Sequence, residues 1–333
     1  MTKTQQVRLA ERPTGLPTAD TWNLTTTELP DLGPGEILVQ VNFISLDPAM
    51  RGWLNDVRSY LPPVGIGEVM RSLDIATVVE STHPDFAVGD TVSGTFGVTE
   101  YAISNGRGVQ RVDLNAAAGP TWLGVLGIPG MTAYFGLLEV GKLSEGDVVL
   151  VSAAAGAVGS VAGQIAKAKG ATVIGIAGGP EKCRMLTEEL GFDAAIDYRA
   201  GNVLKQLREV APDGIDIYFD NVGGEILDAA LANLRRGARV VLCGAISAYN
   251  EQKPPPGPSR YMSLLVFRAT MAGFVVFDYA DRYPEAGAQL AQWLAEGRIK
   301  SREHVVEGGL ARFGETLNML FTGANTGKLV LAV

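Results

Sequence analysis

A short apolar run, Val148–Val151, leads into Ala154-x-Gly156-x-x-Gly159 and then into a helical face that repeats Val161, Ile165 and Ala168. This order places Gly156, Ala157, Val158 and Gly159 where backbone N–H groups and the positive end of a helix meet an anion. Gly156 lets a pyrophosphate approach the backbone, and Gly159 lets the helix sit close to the strand. Ala154 stands where the first glycine of a GxGxxG pattern would be. The flanking strand and helix make a dinucleotide the expected ligand. The second strand ends in Gly178-Gly179, without the carboxylate that accepts from an adenosine ribose 2′-hydroxyl, so a 2′-phosphate is not repelled. Lys182 follows Pro180 and Glu181 in the first turn of the next helix, where the dipole disfavours a cation unless an anion binds nearby. It is the expected phosphate ligand; the alternative is a solvated lysine partly neutralised by Glu181. Tyr198, ending the third strand, is expected to cover the adenine or bond the same phosphate, unless it is only a packed rim residue.

Few groups remain for other chemistry. Cys183 and Cys243 form no CxxC, and the histidines are His83 and His304 alone. These four make neither a disulfide framework nor a closed zinc site, and neither cysteine has activating neighbours. Without a metal or a catalytic histidine, a nicotinamide donor suits the reduction of an activated carbon–carbon double bond. In an α,β-unsaturated ketone or aldehyde the hydride goes to the β-carbon, and the carbonyl oxygen, which gains negative charge, needs a hydrogen-bond donor away from water. A tyrosine fits, because with a pKa of about 10 it stays protonated at neutral pH. Tyr249 is the first choice, since it follows the last core strand in Gly244-Ala-Ile-Ser-Ala-Tyr-Asn, beside the expected nicotinamide; packing against the cofactor ribose is its alternative role. Tyr60, in Arg58-Ser-Tyr-Leu-Pro-Pro, is the alternative donor or a wall of the substrate pocket. Asp220 and Asn221 end the fourth strand on the ligand side of a parallel sheet, and Asn221 is the better cofactor contact. Arg51 is read as structural, between domains.

The elements that must hold these groups fall into two textures. Up to about residue 130, β-type runs at 36–41, 72–79 and 89–92 are punctuated by Gly33-Pro34-Gly35, Pro62-Pro63 and Gly94, which predicts an irregular, mostly β, barrel-like domain. From about 147, apolar strands at 148–151, 171–176, 194–197, 215–219 and 238–242 alternate with helices near 158–169, 180–190, 202–210 and 224–234. That alternation predicts a doubly wound parallel sheet buried on both faces. A strand at 271–277 and a helix at 283–296 complete it, and the tail from about 300 returns to short β texture. Lys253–Pro258 reads as a stiff loop.

With 333 residues, two domains are the natural expectation. A net charge of −8 and no basic run exclude a nucleic-acid surface. The uncharged stretch Leu114–Leu138 carries Pro120, Pro129 and five glycines, which argues against a membrane span. The N-terminus lacks a secretory pattern, so a soluble, unprocessed cytoplasmic protein is expected.

Several motifs in order carry a family likeness over nearly the whole chain: Ile44-Ser-Leu-Asp-Pro-Ala-Met-Arg51, Ile128-Pro-Gly-Met-Thr-Ala-Tyr-Phe-Gly136, the glycine turn, Tyr218-Phe-Asp-Asn-Val-Gly-Gly224 and Cys243-Gly-Ala-Ile-Ser-Ala-Tyr-Asn250. The chain resembles the medium-chain dehydrogenase/reductase superfamily, in its zinc-free leukotriene B4 12-hydroxydehydrogenase/prostaglandin reductase branch, near the bacterial NADPH-dependent curcumin reductases. The resemblance implies a GroES-like catalytic domain from residues 1–130 and 300–333, a Rossmann NADP(H)-binding domain at 131–299, and a homodimer. It implies cofactor contacts at Gly156 to Gly159, Lys182, Tyr198, Asn221, Cys243, Gly244, Ala245, Ile246, Ser247, Tyr249, Phe274, Val275, Val276 and Asn325. Where zinc-bearing members hold their metal, this chain has Asn42-Phe-Ile-Ser45 and Gly65-Ile-Gly-Glu68, so no metal is expected. Another tyrosine of some relatives is replaced by Val266, with Tyr261 displaced from that place. Trp53, Tyr60, Met262 and Phe274 are candidate walls of an apolar substrate pocket, with the Lys253–Pro258 loop at its entrance. The leading expectation is an NADPH-dependent enone reductase. The alternatives are a quinone reductase of the same superfamily and a non-catalytic NADPH-binding or redox-sensing protein.

Overall fold

The computed structural model describes residues 2–253 and 255–333. Met1, and Pro254 of the loop expected at Lys253–Pro258, lie outside the described residues. The chain divides into two compact units, one running to Leu123 and resuming at Glu303–Val333, the other comprising Gly124–Arg302.

The first unit opens with an antiparallel hairpin, β1 (Lys3–Leu9) on β2 (Trp22–Glu28). There follow β3 (Ile37–Ser45), β4 (Asp74–Ser81), β5 (Thr91–Gly94), β6 (Tyr101–Ser104) and β7 (Gln110–Arg111). β3 leaves a turn in which Gly35 takes φ +76°, and its Ile37, Val39 and Val41 are buried, as the two-residue period of a strand requires. It runs on to Ser45, beyond the apolar alternation that marked it, because a bulge between Val41 and Phe43 turns Ile44 back into the core.

The second unit is the doubly wound half. β8 (Val148–Val151), β9 (Thr172–Ala177), β10 (Ala194–Asp197), β11 (Ile215–Asp220), β12 (Leu234–Leu242) and β13 (Thr270–Gly273) form one parallel sheet in the order β10-β9-β8-β11-β12-β13. Val149 and Val151 enter one apolar cluster while Leu150 enters another. Each strand therefore needs apolar residues on both faces, which is why these runs showed no polar alternation. The crossovers use the helices Ala157–Ala168, Pro180–Arg184 with its wider continuation Met185–Glu189, Val203–Val210 and Gly224–Leu231. That last helix stops short of its expected end because β12 has already begun at Leu234. The strand expected over 271–277 ends at Gly273. The uncharged stretch 114–138 breaks into Gly119–Leu123 and Ile128–Phe135, and among the described residues no helix is long and apolar enough to cross a membrane.

The chain returns to the first unit with β14 (Glu303–Val306) and β15 (Lys328–Ala332), which complete a sheet ordered β14-β15-β3-β4-β5-β7, with β6 also on β3. Only the β14–β15 pair in it is parallel. The expected β texture of the tail is interrupted by a helix, Phe313–Thr322, which buries Phe313, Thr316 and Leu317 and stops at Gly323 in the left-handed region. The mixed α/β expectation, a Rossmann sheet with a mostly antiparallel partner unit, is borne out.

This β unit holds two carboxylates near each other, Asp74 fully buried and Asp47 partly exposed. Lys328 Nζ donates to Leu46 O at 2.7 Å and Asp47 Oδ1 at 2.8 Å. Asp74 accepts from Ser72 Oγ at 2.6 Å and from the N–H groups of Phe96 and Gly97 at 2.8 and 3.0 Å. Burial raises the Asp74 carboxyl from 3.8 to about 7 against those bonds, with the Asp47 charge adding to it. The folded state therefore binds the proton more tightly than the unfolded chain, so this group's contribution to stability falls as pH rises from about 4 to about 7. Asp74→Asn, with its amide oxygen toward the Phe96 and Gly97 N–H groups and its Nδ2 turned to donate to Ser72 Oγ, removes the titration and is expected to flatten that slope in denaturant unfolding measured across this range. An unchanged slope would remove Asp74 as its source.

Candidate active site

The glycine turn sits at the C-terminal edge of the parallel sheet, next to the point where strand order reverses between β8 and β11, the place where open α/β sheets bind ligands. A Cβ at Gly159 would come 2.4 Å from Ala153 O and 2.9 Å from Ala154 Cα. Only glycine lets the helix approach the turn this closely. At Gly156 a Cβ would meet only Ala153 O, at 3.2 Å, so its outer side is open. The first-glycine position tolerates Ala154 because the room lies across from it: a Cβ at Gly175 would come 2.9 Å from the Ala154 methyl. Ser160 N–H donates to Gly156 O at 3.0 Å, while Ala157, Val158 and Gly159 stand in the first turn, whose N–H groups lack helical acceptors. This cradle fits a pyrophosphate. Gly159→Ala is expected to weaken dinucleotide binding at least about tenfold and to cost about 1–3 kcal/mol of stability through overpacking, whereas Gly156→Ala should fold normally and lose affinity only. Isothermal titration beside thermal melts separates the two, and equal behaviour of both variants would contradict the assignment.

The tip of β9 is joined to that of β10. Asp197 Oδ1 accepts from Gly179 N–H at 2.8 Å and from Arg199 N–H at 2.9 Å, and Gly179 takes φ +90°. The Tyr198 ring lies over Gly178, where a Cβ would come 2.8 Å from its hydroxyl. Lys182 is half-buried, and burial, then the nearby positive charge of Arg199, lowers its pKa. The Arg199 guanidinium also stands over the Tyr198 ring, 5.8 Å from its centroid. Two cations and a phenol thus gather at the strand tip whose Gly178-Gly179 end is compatible with a 2′-phosphate. Sequence reasoning missed Arg199; its only signal was an arginine directly after Tyr198.

On the other side of the switch point Asn221 is built into the frame. Its N–H donates to Ser152 Oγ at 2.9 Å and its Nδ2 to Ser152 O at 2.7 Å. Ser152, a small polar residue directly after the apolar β8 run, was also missed. Asp220, fully buried, accepts at Oδ1 from Tyr218 Oη at 2.7 Å, Ser152 Oγ at 3.2 Å, and the N–H groups of Val222 and Gly223, both at 2.9 Å. Cys243 and Gly244 follow β12, and a tight turn at Ile246–Ala248 leads to Tyr249. The Tyr249 side chain folds back over this loop: its hydroxyl oxygen accepts from Ala245 N–H at 3.2 Å and lies 3.0 Å from where a Gly244 Cβ would be. Ser247 Oγ donates to Val222 O at 2.6 Å. Burial, with the Asp220 charge, pushes the Cys243 thiol up to about 12, and burial also raises Cys183, so both are poor nucleophiles at neutral pH.

The remaining candidates are divided between the two units. The Phe274 ring packs against Gly136, where a Cβ would come 2.7 Å from it, and Val276 is buried, so these two are as much core as site. Val275 precedes the turn Val276–Arg282. Met262 is exposed on the helix Met262–Phe267. Trp53, Tyr60 and Asn325 belong to the β unit: Tyr60 is exposed, Trp53 lies under the Arg71 guanidinium, and Asn325 is buried with its Nδ2 on Gly327 O. Arg51 is buried in that unit and donates to Pro13 O, Gly15 O and Asn55 Oδ1, holding the N-terminal loop onto its own helix. Among the described residues no three His, Cys, Asp or Glu side chains group to hold a metal.

Residues 5–112 match the family described as the N-terminal domain of oxidoreductase, and residues 157–293 the family described as zinc-binding dehydrogenase. Over 331 residues the chain is 43% identical to the NADPH-dependent curcumin reductase of Escherichia coli, covering 98% of this chain and 95% of that one. The chain belongs to the medium-chain dehydrogenase/reductase superfamily. Another medium-chain relative, prostaglandin reductase 1 of Rattus norvegicus, is 40% identical over 328 residues, 95% of each chain. The crystal structure of CurA from Vibrio vulnificus in complex with NADPH superposes with a TM-score of 0.94 at 46% identity, covering 99% of each chain. A quinone oxidoreductase of Pseudomonas syringae, 22% identical with a TM-score of 0.76, shares the medium-chain fold.

Proposed function

We propose that the chain reduces the activated carbon–carbon double bond of α,β-unsaturated ketones and aldehydes, using NADPH and no metal. The observation that carries this reading is the seating of the Tyr249 hydroxyl against the Ala245 N–H at the C-terminal edge of the sheet, one loop from the turn that Asn221 begins. The names of the similar reductases and the NADPH complex of CurA support the choice of cofactor. Lys182, Arg199 and Tyr198 would hold the 2′-phosphate, and the Gly156–Gly159 turn the pyrophosphate. NADPH, when bound, supplies the hydride. As the substrate's β-carbon is reduced, negative charge moves to its carbonyl oxygen, and the Tyr249 hydroxyl donates a hydrogen bond there. The Ala245 N–H on the same phenol oxygen fixes its direction and strengthens it as a donor. The α-carbon then takes a proton from solvent. Tyr60, exposed in the β unit, is the second choice as donor, and Trp53 and Met262 are the proposed apolar contacts. The two free cysteines, Cys183 and Cys243, fit a reducing compartment such as the cytoplasm.

The test is NADPH oxidation with trans-2-alkenals, 3-nonen-2-one, curcumin and a benzoquinone in parallel, with NADH and a chelator as controls. Enone turnover that prefers NADPH and survives chelation supports the reading. Turnover confined to the quinone favours a quinone reductase, and tight NADPH binding with no turnover favours a binding or sensing protein.

We further propose a homodimer built on β13. This strand is a sheet edge, exposed at Thr270, Ala272 and Gly273, and Tyr261, Met262, Leu265 and Val266 stand exposed on the segment before it. An edge with unpaired backbone groups beside an apolar patch is matched by a second copy of itself about a twofold axis. Leu265→Asp with Val266→Lys should convert the dimer to monomer in light scattering; an unchanged mass would place the interface elsewhere.

A further inference from the structure

We propose that Asp220 is a positioning residue that acts on the reduction through Tyr249, an inference that rests on the reading of Tyr249 as the donor. The Asp220 carboxylate gathers four donors on one oxygen, two of them the N–H groups of Val222 and Gly223, and so fixes the turn that follows β11. The carbonyls of that turn hold the next loop: Asn221 O accepts from Ile246 N–H, and Val222 O accepts from both Ser247 N–H and Ser247 Oγ, at 3.2, 3.2 and 2.6 Å. The Asp220 carbonyl itself accepts from Cys243 N–H at 2.8 Å and Gly244 N–H at 3.0 Å. Tyr249 leaves this loop and returns its hydroxyl to Ala245 N–H. Hydrogen bonds joined by short backbone segments therefore run from one buried carboxylate to the phenol proposed to face developing charge. Ser152 extends the same control to the glycine turn, through its bonds to Asp220 and Asn221.

The second carboxylate oxygen, Oδ2, is buried with no hydrogen-bond partner among the described residues. All the work of the group is thus done by one acceptor oxygen, which an asparagine also carries. A purely structural acid and a positioning acid differ in one respect: only the latter loses its effect on turnover when the group it positions is absent.

The experiment is a double-mutant cycle on the full-length protein, with Asp220→Ala, Asp220→Asn and Ser152→Ala each made alone and together with Tyr249→Phe. Turnover of 3-nonen-2-one at saturating NADPH is measured beside NADPH affinity from fluorescence. Asp220→Ala is expected to lower kcat about tenfold in the native background and less than about twofold beside Tyr249→Phe, a non-additivity that marks coupled groups. Asp220→Asn is expected to keep kcat within about threefold, because the accepting oxygen survives. Should the alanine variant fail to fold, Ser152→Ala, which removes only a hydroxyl, carries the same cycle with a loss of about threefold against none. Equal losses in both backgrounds, or an asparagine variant as impaired as the alanine one, would overturn the proposal. If Tyr249→Phe alone leaves kcat unchanged, the reading of Tyr249 fails first and takes this inference with it, which the single variant shows before the cycle is closed.

Discussion

Tyr249→Phe should lower kcat for an enone by about a hundredfold while leaving NADPH affinity within about twofold, the signature of removing one hydrogen-bond donor from developing charge. The ring fills the same space in either variant, so the loop over Gly244 keeps its packing. Only the hydroxyl is lost, and with it the partner of the Ala245 N–H. Were Tyr249 merely a packing residue against the cofactor ribose, the change would leave kcat near its native value and appear, if anywhere, in NADPH affinity. Steady-state kinetics beside fluorescence titration of NADPH separate these outcomes. A loss below about threefold in kcat would transfer the donor role to another group, with Tyr60 the next to test.

Lys182→Ala and Arg199→Ala should each weaken NADPH by about tenfold or more and leave NADH within about twofold, since a charge-assisted bond to a phosphate contributes about 1.5–3 kcal/mol. The two cations sit close enough that Arg199 lowers the Lys182 pKa, after burial. A bound dianion relieves both costs, which makes the pair poised for a phosphate. The sign for pH follows: a lysine whose pKa is lowered loses its charge earlier as pH rises, so NADPH affinity should decline at a lower pH than an ordinary lysine would impose, and Lys182→Ala should remove that decline. Affinity should also fall with salt more steeply for NADPH than for NADH. Equal losses for the two cofactors in either variant would mean that these residues support the loop rather than read the phosphate.

The Rossmann half was legible because its evidence is local. Five buried strands announce themselves as apolar runs, and the Gly156 and Gly159 positions are needed by contacts within six residues, such as Ala153 O against Gly159. The place of Lys182 in a first helical turn was legible for the same reason. The contacts of Arg199 and Ser152 were not, because they arise from pairing: Arg199 reaches Lys182 only once β10 lies beside β9, and Ser152 reaches Asn221 only once β8 lies beside β11. The β unit was read less well. Its strands are short, the bulge in β3 shifts the alternation, and the helix Phe313–Thr322 lies within a tail whose flanks are strands. The likeness of the ordered motifs to medium-chain reductases narrowed that gap, by implying that residues 1–130 and 300–333 belong to one domain.

The fate of the transferred hydrogen distinguishes double-bond reduction from carbonyl reduction. NADPH deuterated at the reactive nicotinamide carbon, incubated with 3-nonen-2-one and the native protein in the presence of a chelator, should yield the saturated ketone carrying deuterium at the β-carbon, read by NMR. Deuterium on the carbinol carbon of an allylic alcohol, or a requirement for added metal, would contradict the account.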